Sequence, residues 1–197
     1  MKPLLIVVAA SLAATPAFAQ APAGQQISLA TSLQRGYAGV KQNLTEEIAK
    51  MPDADFSFKP GPAPELRNFG MLFGHVANAQ FGSCSAALGQ PNPNQGHNLE
   101  TEATTKEALS KALADSFALC DKAFAALTDQ NAMEMVRQGQ NEIARSALLA
   151  GVVIHSNEMY GTASVYLRAK GLVPPSTERQ GQMMRGGGAG RGNPGRQ

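Results

Sequence analysis

The 197-residue chain has no tryptophan, only two cysteines and three histidines, and charged side chains make up just 16% of it. It contains no CxxC pair, no Ser-His-Asp order and no phosphate-cradling glycine loop. Redox-motif, triad and P-loop chemistry therefore have no carrier, and the glycine-rich C-terminus lacks the strand context and lysine of a P-loop. Charge of one sign is also missing: 17 Lys and Arg face 15 Asp and Glu, for a net +2. That balance excludes a strongly basic nucleic-acid binder. The surplus lies at the ends, since residues 20–177 hold 12 basic and 14 acidic side chains. No second long apolar run follows the N-terminus. The 43% hydrophobic content suits one domain with one core.

Met1 to Ala19 opens on Lys2, runs apolar from Leu4 to Ala14 and ends Ala17-Phe18-Ala19. A charged start, a short apolar middle and small residues before the cut are the marks of a signal peptide over 1–19. The run is shorter than the roughly 20 residues a membrane span needs. The expectation is a periplasmic or secreted protein, free of the membrane after cleavage. At the other end, residues 177–197 with RGGGAGRGNPGR cannot build a core and are expected to be a disordered Gly/Arg-rich tail. In an exported protein this is a solvated tail and not an RNA contact, so no nucleic-acid partner is expected.

Between these ends, four stretches carry helical spacing. Ile27 to Lys50 places Leu29, Leu33, Tyr37, Val40, Leu44 and Ile48 at threes and fours, and Pro52 stops it. Residues 52–64 are an extended, proline-rich connector that Phe56 and Phe58 pin to the core. The second helix runs from about Leu66 to Leu88, and Gly89 to Ala103 is a polar loop. Thr104-Thr105-Lys106-Glu107 has the form of a capping box opening a third helix to about Leu127. Thr128 to Gly139 is less regular. The fourth helix spans about Gln140 to Lys170, ended by Gly171 and Pro174-Pro175. The expected fold is all-α, a four-helix bundle over residues 27–176.

Cys84 and Cys120 suggest the helix order. A disulfide requires Cα atoms within about 7 Å. With helices two and three antiparallel, the two cysteines would sit roughly 18 Å apart in level; parallel, roughly 3 Å. Residues 89–103 extend far enough to climb back along a helix. A disulfide thus implies an up-down-down-up order with a long crossover between helices two and three. The alternative is two unpaired buried thiols.

In that order helices two and four run antiparallel. His75 lies 13 residues from the end of one, and His155 lies 15 from the start of the other. The two imidazoles then share a level and both point inward. Interior imidazoles need partners for both ring nitrogens, which protein groups or a metal can supply. His97, in the polar loop, is expected to face solvent.

Four segments carry a family likeness: MPDADFSFKP, RNFGMLFGHVANAQ, SFALCDKA and, most specific, HSNEMYGTASVYLRAKGLVPPS. Over roughly residues 32–176 the chain resembles the DinB-like (DinB/YfiT) superfamily of four-helix bundles. The resemblance implies a crossover bundle holding a divalent metal, nickel or zinc, on one His from helix two and two from helix four, spaced four apart. His75 and His155 match the first two positions. Met159 stands where the third His is usual. A thioether weakens a zinc or nickel site and suits copper, above all Cu(I); as a core filler it leaves a bundle with no metal. Glu158, one step off the inward face, is expected to be exposed, and Tyr166, on the His155 face, is a candidate pocket residue.

The resemblance implies hydrolase or thiol-transferase chemistry without choosing between them. A non-catalytic bundle with a decayed site and a periplasmic copper binder are the alternatives. The expected partner is a small molecule or metal ion. A homodimer suits a bundle, although no self-complementary stripe is visible.

Overall fold

The computed structural model describes residue 24 and residues 26–188. The expected signal peptide, residues 1–19, lies outside the described residues. Ser28 opens α1 (Leu29–Lys50), its hydroxyl accepting from the Thr31 amide. The connector that follows is sewn down by Phe56, whose carbonyl accepts from Gly70, and by Phe58, whose carbonyl accepts from Phe69. Asn68 caps α2 (Phe69–Leu88), which Gly89 closes in the left-handed conformation at φ 67°. The helix therefore begins three residues later than its spacing suggests, where an Asx cap is available.

The polar crossover contains α3 (Leu99–Glu102), a single turn capped by Asn98. Next comes α4 (Lys106–Ala125), whose cap is Thr105, bonded to the Ala108 amide. Thr104 and Glu107 therefore do not form the expected capping box. Two short antiparallel strands, β1 (Met135–Gln138) and β2 (Asn141–Ala144), pair Val136 with Ile143 and Gln138 with Asn141. Gly139, at φ 62°, takes the first position of their two-residue turn. This hairpin is a small addition to the expected all-α bundle, and it moves the start of the last long helix, α5 (Arg145–Ala169), five residues on from the expected Gln140.

The final element, α6 (Pro175–Gly188), corrects the expected tail: residues 177–188 are helical, and 189–197 lie outside the described residues. Polar contacts hold α6 to α1, with Glu178 meeting Lys50 and Arg179 meeting Glu46 and Asn43.

Paired residues fix the order of the four long helices. Cys84 with Cys120, and Gln80 with Ser116, run in step, so α2 and α4 are parallel. Gly36 against Val153, and Glu47 with Ser164, make α1 and α5 parallel. Tyr166 reaches Arg67 while Ser156 meets Gln80, so α2 and α5 are antiparallel. Tyr37 and Lys41 on Asp121, and Lys106 on Ala49 and Met51, make α1 and α4 antiparallel. The result is up-down-down-up with the crossover between the parallel neighbours. Tyr37, Val40, Leu44, Phe69, Phe73, Leu113, Phe117, Leu149 and Leu167 fill the core between the four. No helix among the described residues is long and apolar enough to cross a membrane.

Candidate ligand site between the second and fifth helices

Cys84 and Cys120 form a disulfide with Cα atoms 5.1 Å apart, holding α2 beside α4. On its other flank α2 presents His75 to His155 of α5. The ring centres lie 4.9 Å apart with planes at 73°, an edge-to-face contact. His75 Nδ1 sits 2.6 Å from Glu100 Oε1 and 3.3 Å from Arg67 Nη2. The shorter contact assigns the proton to Nδ1, donating to the carboxylate, and leaves Nε2 as the free nitrogen. Arg67 Nε also donates to Glu100, at 2.7 Å. Burial works against charge on Glu100, yet hydrogen bonds and charge from Arg67 and His75 outweigh it and hold the carboxyl below its ordinary range.

Glu100 reaches this position because of a glycine. A Cβ on Gly74 would meet the Leu99 carbonyl oxygen at 2.6 Å and the Glu100 amide at 2.8 Å, so α3 lies directly against α2 only where that methyl is missing. Arg67, Gly74 and Glu100 were not singled out from the sequence. Glu100 belongs to a one-turn helix inside a polar loop, with no periodic signal. Gly74, inside an otherwise strong helix and next to a histidine, was the one legible hint.

His155 is held less firmly. Its Nδ1 is 3.6 Å from Glu158 Oε2, outside hydrogen-bond range, and its Nε2 is buried without a protein partner. The Glu158 side chain is 67% exposed, as its off-face position suggests. Met159, one turn beyond His155 on the same face, is buried. Tyr166 is also buried, but its hydroxyl donates to the Arg67 carbonyl at 2.8 Å and its ring meets Phe58 edge-on. It ties the connector to α5, well down the helix from the imidazoles. His97 is exposed and bonds Glu102.

The donor set differs from three imidazoles. Among the described residues no group of three His, Cys, Asp or Glu side chains is arranged to hold a metal ion. The carboxylate nearest the imidazoles is already engaged by Arg67. Two imidazoles, a thioether and an adjacent guanidinium do not fit nickel or zinc in the usual manner.

Residues 37–163 match the DinB superfamily, and the chain belongs to that family. Its fold is shared with a DinB-like protein from Bacillus cereus ATCC 10987, at 14% identity and TM-score 0.59, over 73% of this chain and 93% of that one. A conserved protein from Enterococcus faecalis aligns at 17% identity and TM-score 0.58, over 73% and 98%. The DinB-like protein YjoA from Bacillus subtilis aligns at 16% and 0.54, over 71% and 92%. No curated protein sequence matches the chain. At these identities the structural likeness speaks for the fold alone.

Proposed function

We propose that this protein is an exported DinB-like bundle that retains a soft metal ion, Cu(I) in preference to nickel or zinc, at the facing imidazoles of His75 and His155, with Met159 as third donor. The observation that carries this reading is the imidazole pair itself, with its unpartnered, buried Nε2 on His155. At metal–nitrogen distances of about 2.0 Å, two imidazoles sharing one ion at a roughly tetrahedral angle bring their ring centres to about 5 Å. His75 Nδ1 bonds the Glu100 carboxylate, the arrangement that presents Nε2 to a metal, whereas His155 Nδ1 has Glu158 only at 3.6 Å. The thioether is the soft ligand that selects Cu(I).

Retention suits this donor set better than hydrolysis. The hydrolase and thiol-transferase classes implied by the resemblance call for a Lewis-acidic ion with an open position, which a thioether site beside Arg67 serves poorly. Export is supported by the leader pattern of residues 1–19 and by the disulfide, which persists in oxidising compartments. A second reading is a bundle that holds no metal, favoured by the Arg67 guanidinium 3.3 Å from His75.

Anaerobic titration of untagged protein with Cu(I), against a colorimetric chelator, separates the two. The expected result is one equivalent bound, weakened about 100-fold by His155→Ala and about 10-fold by Met159→Leu. Absence of Cu(I) uptake selects the second reading. Met159→His is expected to raise zinc affinity about 10-fold or more.

A further inference from the structure

Beside the imidazole pair, α2, α5 and the hairpin enclose an open cavity of about 330 Å³. Its α5 wall runs from Ala147 to Ser156, about 13 Å along the helix. His155 and Ser156 stand at one end of that run. The hairpin, joined to α5 at Arg145, contributes Gln138 and Ile143. Neither His75 nor Met159 lines the space, so it is separate from the proposed donor set apart from the His155 ring at its edge.

The lining defines an occupant. No Asp, Glu, Lys or Arg side chain borders the cavity, and Ile143, Leu148 and Val152 make much of the wall apolar. A charged molecule would lose its hydration there with no counter-charge. Two hydroxyls are only half used. Ser83 accepts from Gln138 at 3.3 Å and Ser156 accepts from Gln80 at 3.2 Å, yet neither donates a hydrogen bond among the described residues. Each has an O–H to offer an acceptor. The Gln80 amide is held at both ends, its oxygen accepting from Ser116 and its nitrogen donating one N–H to Ser156.

Gly151 adds a third feature. It lies in the interior of α5, where glycine is disfavoured relative to alanine, and a Cβ there would meet nothing within 4 Å. At Gly74 a neighbouring backbone requires the glycine; at Gly151 no protein atom does. Gly151 is exposed and lines the cavity, so a side chain placed there would reach over its open side.

We infer that this cavity is a binding site for a small, uncharged, mainly apolar molecule carrying one hydrogen-bond acceptor, of the aryl- or alkyl-ketone class. Its size lies at the lower end of small-molecule sites and admits about ten non-hydrogen atoms. The site stands whether or not His75 and His155 hold copper.

The test is calorimetric titration of the full mature protein with 4-phenylbutan-2-one, and with 4-phenylbutylamine as a cation of matched shape. The expected result is saturable binding of the ketone, at least 10-fold tighter than the amine. Gly151→Leu fills the space and weakens ketone binding at least 10-fold. Gly161→Leu, equally open but outside the cavity, leaves it unchanged. Ser83→Ala, which needs no new volume, weakens it several-fold while circular dichroism shows the bundle intact. His75→Ala abolishes copper uptake yet preserves ketone binding, so failure of either proposal is distinguishable from failure of the other. Absence of saturable ketone binding, or binding indifferent to Gly151→Leu, overturns the inference.

Discussion

The helix α2 meets its two partners in opposite ways. Toward α4 the contact is closed: a disulfide, the Ser116 hydroxyl on Gln80, and fully buried Leu109, Leu113 and Phe117. Toward α5 it is open, made by two imidazoles edge-on and a serine–glutamine pair beside a cavity. Among the described residues, two of the four unpartnered buried polar atoms lie on α5, one on α1 facing α5 and one on α2 itself. They are Glu47 Oε2, Ser85 Oγ, Arg145 Nε and His155 Nε2. Arg145 and His155 belong to α5, and Glu47 bonds α5 through Ser164; none belongs to α4. Each such atom costs about 1–3 kcal/mol. One flank of α2 is closed by a covalent link, and the other holds the unpartnered His155 Nε2 and the cavity.

The largest effect that would sharpen this contrast is pH dependence on the α5 side. Burial pushes the Glu47 carboxyl up to about 8, against the lowering influence of the Ser164 hydrogen bond and Arg168. The folded chain keeps this proton to about pH 8, whereas the unfolded chain releases it near 4.5. The folded state therefore holds more protons in that window. Its contribution to stability is complete below the lower value and lost as pH rises through the upper one, up to about 5 kcal/mol in all. Urea unfolding from pH 4.5 to 9 should show the decline, and Glu47→Gln should remove most of it. An unchanged slope in that variant would clear Glu47 of the role.

Breaking the closed flank comes next. The disulfide joins residues 36 apart, and its loss in a Cys84→Ser, Cys120→Ser protein should cost about 4 kcal/mol on the chain-entropy view. Chemical denaturation measures this. Ligand affinity on the open flank should change little, and a parallel collapse of copper binding would show the two flanks to be coupled.

A smaller loss, about 1–3 kcal/mol, is expected for Gly74→Ala, which drives a methyl into the α3 backbone. Its signature is local: imidazole nitrogen shifts of His75 should report the lost Glu100 contact, while those of His155 stay near their original values.

The long helices were legible because their burial is periodic; Tyr37, Val40, Leu44 and Ile48 face inward as their spacing demands. The helix order was legible because the two cysteines constrain relative level, and the two histidines fall level once that order is set. The hairpin was not, since each strand contributes one inward apolar residue, Val136 or Ile143, around a short Gly139-Gln140 turn. Nor was α6, whose attachment to α1 rests on ion pairs that leave no hydrophobic rhythm. At the site, the two imidazoles could be placed from helical geometry. Their unequal surroundings could not, because Glu100 meets His75 across 25 positions through a backbone contact that only a glycine allows.

The single covalent cross-link also bears on maturation. A polypeptide with two thiols has just one internal pairing, so oxidation within one molecule has no scrambled isomers to correct and no need of a shuffling catalyst. Its timing is set by topology: parallel neighbours cannot zip up from a tight turn, so the sulfurs meet only after the intervening loop has doubled back.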